Sequence, residues 1–334
     1  MKNQLAYSVF ATMMLLSSFT LTISGTAEGM EAGYLSFTSN RRGNYDIYII
    51  DRYGENLQTL IGGSADELHA AWSPNGRFLA YASNVKNQNA VLYDIYVMDM
   101  RSKQHWQLTD HPANDTTPIW SPDGQWIAFV SNRSGAYRIY RMDINGKRLR
   151  ELTRGGDAWG PAWSPDDRWI AFKSLDDGLP YLFVMFADGR KSRKLARSAE
   201  IGHYAAWSPD SKRLAHATRE LGRGIKIATI DLDGDHLRGV TLGGFNARGH
   251  LIINHSPAWS PDGKWIAYVS GSFEFKHQSS IYVVDAAGEK HSDSIQLTTH
   301  LSRNLSPAWV PEPFFSVSPS RKMITTLWSK LKQH

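Results

Sequence analysis

The chain has 334 residues, with 37 Lys and Arg against 32 Asp and Glu, and no cysteine. The missing cysteine excludes disulfides, a thiol nucleophile, cysteine-ligated metals and a lipid-modified N-terminal cysteine. The formal charge of +5 is modest and scattered over several loops without interleaved aromatics, which excludes a nucleic-acid-binding module.

The first element is an apolar stretch from Leu5 to Ile23, behind Lys2 and ahead of Gly25-Thr26-Ala27. A positive start, an apolar run and small residues at a cleavage position describe an export signal over residues 1–27. Interspersed Ser and Thr favour cleavage near Ala27, and an uncleaved membrane anchor is the alternative. The expected location is the periplasm or the extracellular space.

A repeat follows. Trp72-Ser73-Pro74-Asn75-Gly76, Trp120-Ser121-Pro122-Asp123-Gly124, Trp163-Ser164-Pro165-Asp166-Asp167, Trp207-Ser208-Pro209-Asp210-Ser211 and Trp259-Ser260-Pro261-Asp262-Gly263 are five copies, and Trp309-Val310-Pro311-Glu312 is a degenerate sixth. The Trp-to-Trp intervals are 48, 43, 44, 52 and 50 residues. Several short strands per unit at this period predict an all-β propeller, one four-stranded antiparallel blade per repeat. In each unit strand A ends at the Trp, and Ser-Pro-Asp-Gly makes a tight turn. Strand B is Ile-Ala-Phe-like, strand C resembles Asp94 to Asp99, and strand D carries a Leu-Thr such as Leu108-Thr109. Strands B, C and D first occur at Tyr34 to Gly62 with no strand A before them, whereas Ser306 to Trp309 is a lone strand A. The C-terminal strand is therefore expected to complete the N-terminal blade, closing six blades over residues 33–311 without an exposed edge. A second sizeable domain has no room.

The remaining segment, 312–334, places Met323, Ile324, Leu327, Trp328 and Leu331 on one helical face. It predicts a short amphipathic helix that caps the propeller, or that contacts a partner or a membrane surface peripherally.

Departures from the repeat locate function. In such a blade the A–B and C–D turns share one face of the disc, and the B–C and D–A loops share the other. The spacing lengthens between Ser83 and Tyr96, Val240 and Trp259, Ser270 and Tyr282, and Asp285 and Leu297. Three of these four insertions fall on the B–C/D–A face, so the binding surface is placed there. Residues just ahead of each strand A are polar or aromatic and mutually different. They give His69, Asp115, Trp159, His203, Tyr204, His255 and Asn304 as ligand- or partner-binding candidates. Histidines from several blades are also metal-ligand types, but one per loop is an ordinary hydrogen-bonding residue, so no metal, cofactor or catalytic residue is assigned. Asp231-Leu232-Asp233-Gly234-Asp235 lacks the terminal Glu of a calcium loop and reads as a hairpin turn.

The Trp-Ser-Pro-Asp-Gly turn with the Ile-Ala-Phe and Asp-Ile-Tyr-Val-Met-Asp strands resembles the WD40-like repeats of TolB propellers over about residues 33–311. That resemblance implies a periplasmic, non-catalytic scaffold that binds envelope proteins around the channel mouth. TolB's preceding α/β domain has no counterpart between the signal segment and Tyr34. The expected ligand is a cell-envelope or extracellular protein, peptide or glycan, bound by a monomer. A metal-dependent lyase of the oligogalacturonate type is the alternative, because those enzymes are similar in repeat style. A serine peptidase is excluded by the absence of a Gly-x-Ser-x-Gly elbow.

Overall fold

The computed structural model describes residues 33–85, 92–199, 204–220, 224–246, 248–272, 278–288 and 294–312. The signal segment, His203 and the tail beyond Glu312 lie outside these residues. Among the described residues there is no helix, only strands and turns.

The chain opens with β1 (Tyr34–Ser39), β2 (Asp46–Asp51) and β3 (Gln58–Ile61). Then come β4 (Glu67–Trp72), β5 (Phe78–Ser83), β6 (Asp94–Asp99) and β7 (His105–Gln107), which form a four-stranded antiparallel sheet. The next sheet is β8 (Asp115–Trp120), β9 (Trp126–Ser131), β10 (Arg138–Asp143) and β11 (Arg150–Glu151). It is followed by β12 (Ala158–Trp163), β13 (Trp169–Asp176), β14 (Leu179–Phe186) and β15 (Arg193–Arg197). Two further antiparallel groups are β16 (Ala205–Trp207), β17 (Arg213–Glu220), β18 (Gly224–Asp231) and β19 (Arg238–Gly239), and β20 (Ile252–Trp259), β21 (Trp265–Ser272), β22 (Ser279–Asp285) and β23 (Ile295–Gln296). A single parallel bridge, Ile225–Ile253, joins these two groups into one eight-stranded sheet. The last strand, β24 (Asn304–Trp309), pairs antiparallel with β1 and gives the order β24-β1-β2-β3.

The first strands of these groups touch in sequence, β4 to β8, β12, β16, β20 and β24, and β24 returns to β4. They form a closed inner ring. Burial follows from it: six apolar clusters each lie between two neighbouring strand groups. One joins Leu35, Phe37 and Tyr48 to Val269, Ile281 and Val283, across the junction made by the chain's two ends. Strands buried on both faces read as near-continuous apolar runs, which is why alternation is weak in the sequence.

The repeated Trp ties neighbours together. The indole N–H donates to the preceding inner strand from Trp120 to Ala71 O (3.0 Å), from Trp207 to Ala162 O (2.9 Å) and from Trp309 to Ala258 O (3.0 Å). Trp72 donates instead to Ser36 Oγ (2.9 Å), which donates on to Ala308 O (3.3 Å). A serine relay thus serves the junction where the two ends meet. In the turn that follows, Ser73 Oγ accepts from Phe78 N and bonds Asn75, and Ser164 and Asp166 repeat the pattern. Gly54, with φ +80°, brings the C–D turn after β2 so close to Leu297 O that a Cβ there would lie 2.7 Å from it.

The Leu-Thr signal differs from its expected place inside strand D. Strands β7, β11 and β23 end before it. Each Thr hydroxyl instead accepts a strand C amide: Thr109 from Ile95, Thr153 from Ile139, Thr241 from Ile227 and Thr298 from Ile281, all at 2.9 Å. A side-chain oxygen takes over where the ladder stops, as buried amides require.

One strand group, β16–β19, breaks the core pattern. Strands B and C elsewhere carry a cross-strand ring pair, such as Phe129–Tyr140 or Tyr268–Tyr282. Here the pair is His216 opposite Ala228. His216 is 1% exposed, and neither ring nitrogen has a partner in hydrogen-bonding geometry. Burial pushes its pKa down to about 4 from 6.5. The unfolded chain therefore binds a proton between those pH values that the native state refuses. The stability contribution is full above pH 6.5 and is lost as pH falls to about 4, about 3 kcal/mol in all. His216→Phe should flatten that part of the pH–stability profile in urea unfolding; an unchanged slope between pH 6.5 and 4 would contradict it.

The β24–β1 junction yields a second prediction. Truncation before Asn304 removes β24, bares the edge of β1 and strips Trp309 and Ala308 from the clusters they pack against. We expect loss of the cooperative thermal transition, or aggregation. An unchanged melting temperature would show that the junction is dispensable.

Candidate functional site

Each inner strand presents one edge to the central channel and needs no ladder partner there. Proline is tolerated only on such edges, and Pro118, Pro161, Pro257 and Pro307 all stand two residues before a repeated Trp. The residue before each proline, or its counterpart, bulges. His69, Thr117, Gly160, Ser256 and Ser306 have φ of 50–57°, and the strand register shifts at the same place. Left-handed backbone in non-glycine residues is costly. Here it turns a side chain off the sheet toward the channel.

The channel holds a cavity of about 330 Å³. Ala70, Ala71, Pro118, Ile119, Ala162, Pro257, Ala308 and the indoles of Trp72, Trp120, Trp163 and Trp207 make its wall apolar. Its polar side chains are the bulge residues His69, Thr117, Ser256 and Ser306, with Tyr204 at the equivalent position before β16. Three of them meet. Tyr204 Oη lies 2.7 Å from His69 Nδ1, and Ser306 Oγ lies 3.2 Å from the same nitrogen. The His69 and Tyr204 rings are 5.6 Å apart and tilted by 42°. Since β4 and β16 stand three places apart in the inner ring, this contact spans the channel. Burial raises the phenol's pKa, so Tyr204 stays protonated and able to donate. The collar is a hydrogen-bonding bar across an apolar tube.

Of the residues chosen from sequence, His69 and Tyr204 come together here. Asp115 and Asn304 do not line the cavity. Asp115 is fully buried against Arg133 (Nη2–Oδ2 2.7 Å), and Asn304 bonds Ser279 O and Arg41. Trp159 packs against the cluster of Ala128, Val130 and Phe172. His255 bonds its neighbour Ser256 through Nδ1 at 2.9 Å. His203 lies outside the described residues. Sequence reasoning passed over Thr117, Ser256 and Ser306. The signal was present: three residues before each Trp stand His, Thr, Gly, Tyr, Ser and Ser in otherwise apolar strands.

Two loops leading into inner strands, one of them an insertion, expose apolar side chains. Leu242 and Phe245, between β19 and β20, and Leu301, between β23 and β24, are 60%, 59% and 78% exposed. On the other face Asp231, Asp233 and His236 gather at the turn after β18. His236 bonds Asp231 and Asp235 N bonds Asp233, as a hairpin turn requires.

A family model, "TolB beta propeller domain", matches residues 86–159. Among solved structures the chain is similar to TolB from Acinetobacter baumannii, with 22% identity and a TM-score of 0.67 over 84% of this chain and 67% of that one. It is also similar to a protein assigned as TolB from Agrobacterium tumefaciens, with 17% identity and a TM-score of 0.64 over 83% and 91%. An oligogalacturonate lyase in complex with manganese aligns at 15% identity and a TM-score of 0.51, over 81% and 75%. No curated protein sequence matches. These likenesses define the class: an all-β propeller. Within that class the chain is similar to TolB propellers, and residues 86–159 match their domain model.

The Asp115–Arg133 pair is a structural clasp by these contacts, and it can be tested as one. Arg133→Ala leaves a buried carboxylate uncompensated and should cost about 3 kcal/mol in denaturant unfolding, with partial recovery on adding Asp115→Asn. A cost below about 0.5 kcal/mol would contradict the clasp.

Proposed function

We propose that the chain is an exported, non-catalytic binding propeller of six blades that captures a protein or peptide of the cell envelope or extracellular space at its channel mouth. A glycan ligand is the variant of this reading. Counting β16–β19 and β20–β23 as separate blades gives the six. Residues 1–27 supply the export signal, and the TolB likeness supports a periplasmic location.

The observation that carries the reading is the channel's asymmetry. An apolar tube is crossed by the His69–Tyr204–Ser306 collar, and the loops that lead into β20 and β24 expose Leu242, Phe245 and Leu301. Exposed apolar groups together with convergent polar ones mark interaction surfaces. The likeness to the manganese-bound lyase supports a metal-dependent lyase as the second reading, with histidines above the channel as ligands. Against it, His69 shares Nδ1 between Tyr204 and Ser306, and His255 is turned to Ser256.

Capture from an envelope extract tests the proposal. Tyr204→Ala combined with Phe245→Ser should weaken retention of the captured protein at least about tenfold, as loss of central anchors does. Asn145→Ala and Asp188→Ala, in C–D turns on the other face, should leave it unchanged, with circular dichroism as the folding control. Loss of capture in the turn variants alone would move the working surface to the other face. A stoichiometric transition metal in the purified protein, lost with His69→Ala, would favour the lyase.

A further inference from the structure

Two sheets are closed at their channel-mouth end by an arginine in the same nest. Arg41 lies over the rings of Phe37 and Tyr48, its Cζ 5.3 and 4.6 Å from their centroids. Its Nε donates to Ser39 Oγ at 3.1 Å and its Nη2 to Asn304 Oδ1 at 3.2 Å. Arg133 lies over Phe129 and Tyr140 at 5.4 and 5.1 Å. Its Nε donates to Ser131 Oγ at 2.9 Å and its Nη2 to Asp115 Oδ2 at 2.7 Å. The parts occupy fixed repeat positions. A serine ends strand B, the residue in register with it begins strand A, and the arginine stands two places beyond the serine.

The β4–β7 sheet has every part except the arginine. Tyr81 and Tyr96 stack at 5.9 Å and 29°, and Ser83 ends β5 in register with Glu67. The arginine's position is held by Val85, which is 47% exposed. Glu67 is 6% exposed, and its Oε2 has no hydrogen-bond partner. Burial first, then the charges of Asp46 and Asp66, push its pKa up to about 7 against a hydrogen bond from Ser83, and no cation among the described residues offsets them. Asp115 also leaves one oxygen unpartnered, but its other oxygen holds Arg133.

We propose that the Glu67 nest is a binding site for a guanidinium group supplied by another molecule, an arginine side chain of a protein or peptide partner. The sister nests give the geometry: a planar cation over a pair of rings, held at its edge by a serine hydroxyl and an amide or carboxylate oxygen. Such a slot suits arginine over lysine, because the guanidinium stacks flat and presents several donors in one plane. Glu67 adds the charge complementarity that Asn304 lacks in the Arg41 nest. The β20–β23 sheet shows a neutral relative, with Tyr268 and Tyr282 stacked, Ser270 in register with Asn254, and the buried Asn254 Oδ1 unpartnered. Its acceptor carries no charge, so Glu67 is the stronger site. Glu67 lies two residues from His69, so the nest and the collar share one face; the partner's identity as a protein rests on the proposed function of that face, whereas the nest itself does not.

The test uses the full chain and a free probe, N-acetyl-arginine amide, titrated at pH 7.5 and followed by calorimetry and NMR, with N-acetyl-lysine amide alongside. Saturable arginine binding is expected, at least tenfold tighter than lysine. Glu67→Gln should weaken it at least tenfold, and Val85→Arg should abolish it by filling the nest from within and raise the melting temperature. Val85→Ala should keep it. No saturable binding to the natural chain, or binding that survives Glu67→Gln, overturns the proposal; if Val85→Arg does not fold, Glu67→Gln against Val85→Ala decides. Arginine binding without capture of an envelope protein would sink only the reading of the channel mouth.

Discussion

Antiparallel pairing of the C-terminal strand Asn304–Trp309 with Tyr34–Ser39 fixes the positions of all other parts. It joins residues some 270 positions apart: Ser36 Oγ reaches Ala308 O, and Val310 N reaches Tyr34 O. Closing so long a loop costs little more than closing a short one, since each doubling adds only about 0.6 kcal/mol. In return the junction gains a ladder, an indole relay through Ser36 and a full apolar cluster. Each strand group then has a neighbour on both sides, which two-sided apolar strands require. The channel follows from closure, because the inner strands can face one another only in a ring.

The ring also decides what an inner strand can be. With one edge turned to the channel, it accommodates proline and a bulge that would break a central strand. The same position therefore varies in chemistry, from Thr117 to Tyr204 to Ser306, while the Trp three residues on stays constant. Variation is permitted there because packing does not use the side chain. The cross-channel contact of His69 with Tyr204 is a product of that freedom, and it lies outside the apolar clusters that hold the strand groups together.

The fold was legible in the sequence because the turn chemistry is repeated and each copy marks the same boundary. The lone strand A at Ser306 and the missing one before Tyr34 gave the chain closure from counting alone. The candidate site was only half legible. Asp115, Asn304 and Trp159 were polar or aromatic in the right region, but register places the first two opposite a strand-ending serine and turns the third into a core cluster. A one-residue bulge reverses which side chains face the channel, and nothing in the residues around Ser256 or Ser306 announces a bulge except the following proline. The Thr of each Leu-Thr pair was placed inside a strand for the same reason: its hydroxyl stands in for a ladder carbonyl, which residue type alone does not reveal.

Repetition also supplies an internal control that a single-copy fold lacks. Arg41 and Arg133 show what the slot above a ring pair holds when the chain fills it, and Asn304 and Asp115 show which acceptor it uses. Against those two copies, Val85 at the arginine's position is a departure with a physical consequence, because Glu67 is then a buried carboxyl group near Asp46 and Asp66 with no cation among the described residues to offset it. Packing alone would be served as well by an amide, as Asn254 shows in a sister sheet. An acid retained in the slot at that cost stabilises the fold less than it would stabilise an incoming cation, and the slot stands two residues along β4 from the collar's His69.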